Sequence, residues 1–356
     1  MTRHLAKRFA FSLLLAGCSP AAQVSDVVLA TDVVATVPVA PDSFDQGVAV
    51  GLHFEGETPS YRSLYWEVSS AGAESVSLVW SWHAEDVRSS TLAPDPVRTP
   101  TAEELATAID EAHAQGLRVF LLPIIQLENT AIGEWRGRLN PADREAWWES
   151  YRARMLEAAA IAHAHDVEWL SVGSELGSME VDEAQWRSLI SEVRGVTDAK
   201  LTYSSNWDNY MSTPFWDALD AIGVTGYYEL TNIDGHRPSP DEFAVAWQEV
   251  FEGLAAESAA VERGVLITEV GYVSQRGAAR HPWDYTQGNE VDLLAQYDLY
   301  VALANAVAQA PFIEGVYLWN WFGDGGSFDD GYTPRGKPAE QVVRRWFAAP
   351  TPTESP

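Results

Sequence analysis

Two glutamates, Glu175 and Glu269, each follow an apolar run, S-V-G-S-E-L-G over 171–177 and V-L-I-T-E-V-G-Y over 265–272. A continuous apolar run of this kind predicts a strand buried on both faces, as in a parallel sheet. A carboxylate just past the C-terminal end of such a strand is badly placed for a core and well placed for a site. In a (β/α)8 barrel that end forms the active-site rim. Two carboxyl groups converging on one rim suit glycoside hydrolysis, one as proton donor and the other as nucleophile. The plainer alternative, two solvated acids at loop starts, is disfavoured by the aromatic residues crowding both neighbourhoods.

The elements needed to carry these groups are legible along the chain. Candidate strands are Gly47–Phe54, Glu74–Trp82, Leu117–Ile125, Glu168–Ser174, Lys200–Asn206, Ala221–Tyr228, Gly264–Gly271 and Gly315–Trp321. Helical segments alternate with them, which points to a parallel α/β architecture. Thr101 with Glu104 makes a capping box, and that helix stops at Gly116. Asn140–Pro141 is expected to open a long helix running to about His165, and Asp182, Pro240 and Asn289 to open three more. The stretch between Asn206 and Ala221 is short for a helix, so that crossover is expected to be abbreviated. Eight strands close a barrel, and the predicted fold is a single (β/α)8 TIM barrel. The rival, an open doubly wound sheet, usually carries a Gly-rich phosphate loop after its first strand. G-L-H-F-E-G-E (51–57) is not one.

The N-terminus carries an address. Arg3, Lys7 and Arg8 precede the apolar run Phe9–Leu15, and L-A-G-C ends at Cys18, the chain's only cysteine. A basic start, a short apolar run and small residues before the cut describe a secretory signal peptide, too short to span a bilayer. The arrangement resembles the bacterial lipoprotein signal, with Cys18 as the lipidated first residue. Residues 1–17 are thus expected to be the signal, 18–45 a disordered tether, 46–348 the catalytic domain and 349–356 a disordered tail. The expected location is the cell envelope after export, anchored by lipid to a bacterial membrane, the outer one if the host is Gram-negative. With one cysteine there is no intramolecular disulfide and no thiolate metal site.

A net charge of −28 repels phosphate backbones and polyanionic glycans alike, which disfavours nucleic acid as a partner. A neutral polysaccharide or oligosaccharide fits best. A retaining nucleophile needs hydrogen-bond donors, and Tyr227 and Tyr228, ending the sixth strand, are the candidates. Among fifteen tryptophans, Trp82, with Trp80, ends the second strand; it, Trp135 and Trp207 are candidate sugar-binding residues. Trp147, Trp148, Trp186 and Trp247 lie in helical segments and are expected in the core. Asn206 and Asn320 end strands, where they either bind hydroxyls or cap turns. Arg335 and Lys337 either line the cleft or, for Lys337, start an exposed helix. His163 and His165 have no partnering ligand spacing. No metal and no cofactor is expected, and the protein is expected to be monomeric.

L-S-V-G-S-E-L, W-R-S-L-I-S-E-V-R, L-T-Y-S-S-N-W, F-W-D-A-L-D-A-I-G-V-T-G-Y-Y, I-T-E-V-G-Y and G-V-Y-L-W-N-W followed by Y-T-P-R-G-K-P-A-E resemble glycoside hydrolase family 113. The similarity runs in order over roughly residues 47–347. The resemblance implies a clan A (β/α)8 retaining hydrolase, chiefly an endo-β-1,4-mannanase, with Glu175 as acid/base and Glu269 as nucleophile. It favours Tyr228 of the tyrosine pair, makes Trp319 the platform that stacks on a pyranose, and brings in W-R-G (135–137) with Arg136. Two departures stand out. Ser174 occupies the place before the acid/base where the clan usually has Asn. The third strand reads L-P-I-I-Q (122–126) where the family reads roughly K-P-H-I-D. Lost polar groups there change which hydroxyls are recognised, leaving open a clan A hydrolase or transglycosylase of other specificity. A surface glycan-binding lipoprotein without catalysis is the alternative from another class.

Overall fold

The computed structural model describes residues 44–52, 60–286, 288, 290–323 and 325–347. The chain divides into Met1–Ala35 and Thr36–Pro356, and every described residue belongs to the second unit. The signal, Cys18, nearly all of the tether, the tail and Asn289 lie outside the described residues.

Strands β1 (Asp45–Gly51), β2 (Ser75–Ala84), β3 (Arg118–Leu127), β4 (Trp169–Ser174), β5 (Lys200–Ser205), β6 (Ile222–Thr225), β7 (Val265–Val270) and β8 (Ile313–Leu318) pair in chain order into a closed barrel. Every pairing is parallel, including β8 on β1. Helices α1 (Arg62–Ser70), α2 (Ala102–Ala114), α3 (Arg144–Ala164), α4 (Glu183–Arg194), α5 (Pro240–Val261), α6 (Leu293–Val307) and α7 (Pro338–Phe347) cover it. The fold is a (β/α)8 TIM barrel. The crossover from β5 to β6 holds only the short turns Tyr210–Ser212 and Trp216–Ala218, as its length predicts.

Local signals set most element ends. Thr101 and Glu104 form the expected capping box, and Ser239 with Glu242 forms another ahead of Pro240. The long helix starts later than Asn140–Pro141. The amides of Asn140 and Ala142 donate to the Val87 and Arg88 carbonyls at 2.7 and 2.8 Å, which keeps that stretch tied to the loop after β2. Asp143 then caps α3. Asp182 precedes α4 without capping it, because its carboxylate accepts from Arg144 Nε at 2.6 Å and Trp148 Nε1 at 2.7 Å. Asp292, through Ala295 N at 2.9 Å, opens α6. β1 begins at Asp45, one residue ahead of the expected domain boundary.

The lumen is filled by Ala49, Val79, Phe120, Leu122, Trp169, Ala221, Leu266 and Tyr317, with Ile124 and Trp319 packed above them. Side chains alternate along a strand, so Ser81 and His83 share the lumenal face with Val79, while Trp80 and Trp82 face outward. A second aromatic layer lies between the barrel and the helices. There Trp147, Trp148, Tyr151 and Trp186 pack ring to ring, with all four buried. Trp247 is buried too, as expected of the helical tryptophans.

Candidate active site

Simple alternation does not aim either glutamate. Between Ser171 and Ser174, β4 has one residue more than β5, which pairs Thr202 and Ser204 with them. Between Ile267 and Glu269, β7 has one more than β6, where Val224 is followed directly by Thr225. Each extra residue is a bulge, which shifts the side-chain phase and is common beside active sites. In β7, Thr268 turns inward to meet Ser204 Oγ at 2.6 Å, and Glu269 turns inward behind it. In β4 the shift puts Gly173 outward, where a Cβ would stand 2.9 Å from the Tyr151 hydroxyl and 3.0 Å from the Trp186 ring. Only glycine fits there.

Glu175 adopts a left-handed backbone with φ of 54°. For a residue with a side chain this is uncommon and is held by its surroundings. Its N–H donates to Ser204 O at 2.8 Å, and the next amide, of Leu176, donates to the Tyr203 hydroxyl at 2.8 Å. That hydroxyl donates to Glu180 Oε1 at 2.8 Å, and Asn209 and Thr213 donate to Glu180 Oε2 at 2.6 and 3.2 Å. Burial nevertheless pushes the Glu180 carboxyl up to about 7.

Glu175 and Glu269 are both buried. Arg136, in the loop after β3, donates from Nη2 to Glu175 Oε2 at 2.5 Å. The Tyr227 hydroxyl stands 3.4 Å from Glu269 Oε2. Burial, and then the charge on Glu175, hold the Glu269 carboxyl well above the usual carboxylate range, with Arg136 and Tyr227 pulling the other way. The Glu269 carboxyl therefore lies in the field of Glu175. Glu269 Oε1, Arg136 Nε and Ser174 Oγ are buried without a hydrogen-bond partner. Buried polar atoms of this kind call for an explanation, and three of them around one carboxylate pair fit a ligand rich in hydroxyls.

The other predicted residues divide. Trp319 is half-buried over the lumenal core, its ring edge-on to Phe322, and its peptide bond to Asn320 is cis. Trp135 is exposed and folds over Gly137. Of the tyrosine pair it is Tyr227 that reaches Glu269. Tyr228, the one the family pattern favours, turns the other way onto Trp207 and Trp247, since neighbours in an extended chain face opposite sides. Trp82 is not on the cleft; it is buried edge-on against Tyr151 of α3, as its outward parity dictates. Asn206 donates to Asp208, and Asn320 donates to Phe322 O at 3.2 Å and accepts from Trp319 Nε1 at 3.3 Å, so both side chains bond close by in the chain. Lys337 is fully buried, its Nζ donating to Ser274 Oγ, Asp329 Oδ1 and Gly331 O at 2.9, 2.8 and 2.9 Å. Arg335 pairs with Glu67 of α1 at 2.7 Å.

The sequence reading missed Trp283, Tyr332 and His83. The first two lie in the rim loops after β7 and β8, which have no periodic signal; the lumenal parity of β2 places the third. His83, Asp95 and Glu128 bring three ligand atoms close together. The Arg98 guanidinium already donates to Asp95 and Glu128 at 2.7 and 2.6 Å and balances their charge.

Residues 56–333 match the model of Glycoside Hydrolase Family 113. A family β-1,4-mannanase superposes with a TM-score of 0.77 at 25% identity, covering 86% of this chain and 99% of that one. The β-mannanase AaManA from Alicyclobacillus acidocaldarius, in complex with ManMIm, gives 0.76 at 29% identity over 86% and 97% of the two chains. Fungal β-1,4-galactanases share the fold at 14% identity with a TM-score of 0.56, over 85% and 98%. No curated protein matches at a significant level. With its barrel and its matched family model, the chain is a glycoside hydrolase. It belongs to glycoside hydrolase family 113.

Proposed function

We propose that the protein is a retaining endo-β-1,4-mannanase that works by double displacement, with Glu269 as nucleophile and Glu175 as acid/base. The observation that carries this reading is the buried carboxylate pair at the C-terminal ends of β4 and β7. In the first step Glu269 attacks the anomeric carbon, the glycosidic C–O bond breaks, and Glu175 gives its proton to the departing oxygen. In the second, Glu175 takes a proton from water, water attacks the anomeric carbon, and the Glu269 ester bond breaks. The pair needs one proton between its members. Burial and the Glu175 charge favour the protonated form of Glu269. A sugar hydroxyl donating to the unpartnered Glu269 Oε1 stabilises the charged nucleophile and lets the proton reside on Glu175.

A different β-linked neutral glycan is the second reading, and one observation favours it. Leu122 and Ile124 line the lumen of β3 and Gln126, of the same parity, is exposed at its mouth. The family pattern has polar or charged residues at these three places, so one wall of the site offers different contacts. Reducing-sugar release from mannan, glucomannan, xylan and β-glucan decides the matter. Preferred turnover of mannan supports the leading reading, and preferred turnover of another member replaces it with the second. Absence of turnover on all four rejects hydrolysis in favour of a glycan-binding lipoprotein.

We also propose that Cys18 carries the lipid that anchors the enzyme. Cys18→Ala should leave the membrane fraction of the expressing cells; retention there like the parent rejects the anchor.

A further inference from the structure

The rim between β5 and β7 carries aromatic rings that the two-step chemistry does not use. Trp283, in the loop after β7, is 38% exposed. Its ring lies on that of Trp207, centroids 5.4 Å apart and planes 22° from parallel. Trp207 thus stacks on one indole face while more than a third of the residue stays open. Trp207 in turn is held edge-on by Tyr228 at 5.7 Å. The wall connects to the carboxylate pair through Tyr332. Tyr332 lies 6.2 Å from Tyr227, and its hydroxyl donates to Pro282 O at 2.8 Å, the residue before Trp283.

The exposed indole is also held in place. The His281 ring stands against it at 5.3 Å, and Asp284 N donates to His281 O at 3.0 Å, closing the turn. An indole that is both exposed and fixed is a preorganised apolar face. Of the charged groups nearby, Arg280 pairs with Glu229 and Asp234, and with Asp284 the three carboxylates outnumber that one guanidinium, which discourages an anionic occupant. The apolar C–H face of a neutral pyranose is the complementary surface.

We infer that Trp283, backed by Trp207, is a stacking platform for a sugar unit of the substrate chain beyond those joined by the scissile bond. This rests on the glycosidase reading and adds to it that the cleft runs over the β5–β7 side of the rim. The test is the ratio of kcat/KM for a β-1,4-linked mannohexaose to that for an aryl mannobioside. In Trp283→Ala the ratio should fall about tenfold, equivalent to ~1.4 kcal/mol, and Trp283→Phe should recover most of it. A ratio within twofold of the parent's overturns the proposal, as does a loss in Trp283→Phe equal to that in Trp283→Ala. If Trp283→Ala folds poorly, Trp283→Leu, which keeps bulk without a flat face, gives the same reading. Should the unaltered protein turn over neither substrate, the glycosidase reading fails on its own. Quenching of tryptophan fluorescence by mannohexaose, compared between the parent and Trp283→Phe, then tests the platform separately. Equal affinity with no change in quenching rejects it.

Discussion

Arg136 and Glu175, brought together from different loops, meet at 2.5 Å. The loops that carry them are interlocked. Ser178 Oγ donates to Leu139 O at 2.7 Å, and Arg144 bridges to Asp182 and to Ser178 O at 2.6 and 3.1 Å. The guanidinium is therefore delivered to the carboxylate pair by scaffold rather than by a free arm.

That placement predicts a pH effect. Arg136 lowers the proton affinity of Glu269, so removing it makes the pair hold its shared proton more tightly. In Arg136→Met the alkaline limb of the kcat/KM profile should move to higher pH, with activity down about 10²-fold. An unchanged limb would show that the guanidinium has no electrostatic hold on the pair.

The two carboxylates can be told apart chemically. Glu269→Ala should lower turnover by about 10⁴-fold, and azide should partly restore it as a glycosyl azide of inverted configuration. Glu175→Ala should instead give an azide product of retained configuration, because azide attacks the glycosyl ester without needing a base. Chirality of the two azides, read by NMR, checks the assignment. Inverted product from the unaltered enzyme on its own substrate would sink it.

Glu180 predicts a stability profile. Its carboxyl ionises near 4.5 when free and is pushed up to about 7 by burial. Between those values the folded state keeps a proton that the unfolded state has lost, so stability falls as pH rises through that window. Glu180→Gln removes the titration. The Tm of the variant relative to the parent should therefore climb from pH 5 to pH 8. A pH-independent difference would contradict the assignment.

Lys337 ties the loop after β8 to the loop after β7. Lys337→Met would leave Asp329 Oδ1 and Gly331 O without their ammonium partner, a change that should cost about 3 kcal/mol. Chemical denaturation measures it. The variant should also lose activity, because Gly331 precedes Tyr332, which packs on Tyr227.

Much of this was legible in the sequence because it is local. Strand runs, the Thr101–Glu104 box and the two strand-end glutamates depend on neighbours a few residues away. Side-chain direction was harder. Trp82 and Tyr228 each had an even chance under alternation, and the parity of β2 and of the segment after β6 is fixed by packing on α3 and α5. The burial of Lys337 leaves no local mark because its partners Ser274 and Asp329 are distant in sequence or in an aperiodic loop. Trp283 was invisible for the same reason: no period marks a ring whose partner, Trp207, comes from another rim loop.

The bulges in β4 and β7 make the number of successive inward-facing side chains a matter of strand length rather than of strand composition. Exchanging one aliphatic for another in V-L-I-T-E-V (265–270) alters packing by a methyl group or two. Deleting Thr268 would restore regular pairing with β6 and leave Glu269 opposite Thr225 on the lumenal side, but with one inward side chain where there were two and no Thr268 hydroxyl against Ser204. In a library of natural or random variants, substitutions in these strands should therefore be common among active clones. Deletion of Thr268 should give a folded enzyme less active than those, because the inward Thr268–Ser204 contact beside Glu269 is gone.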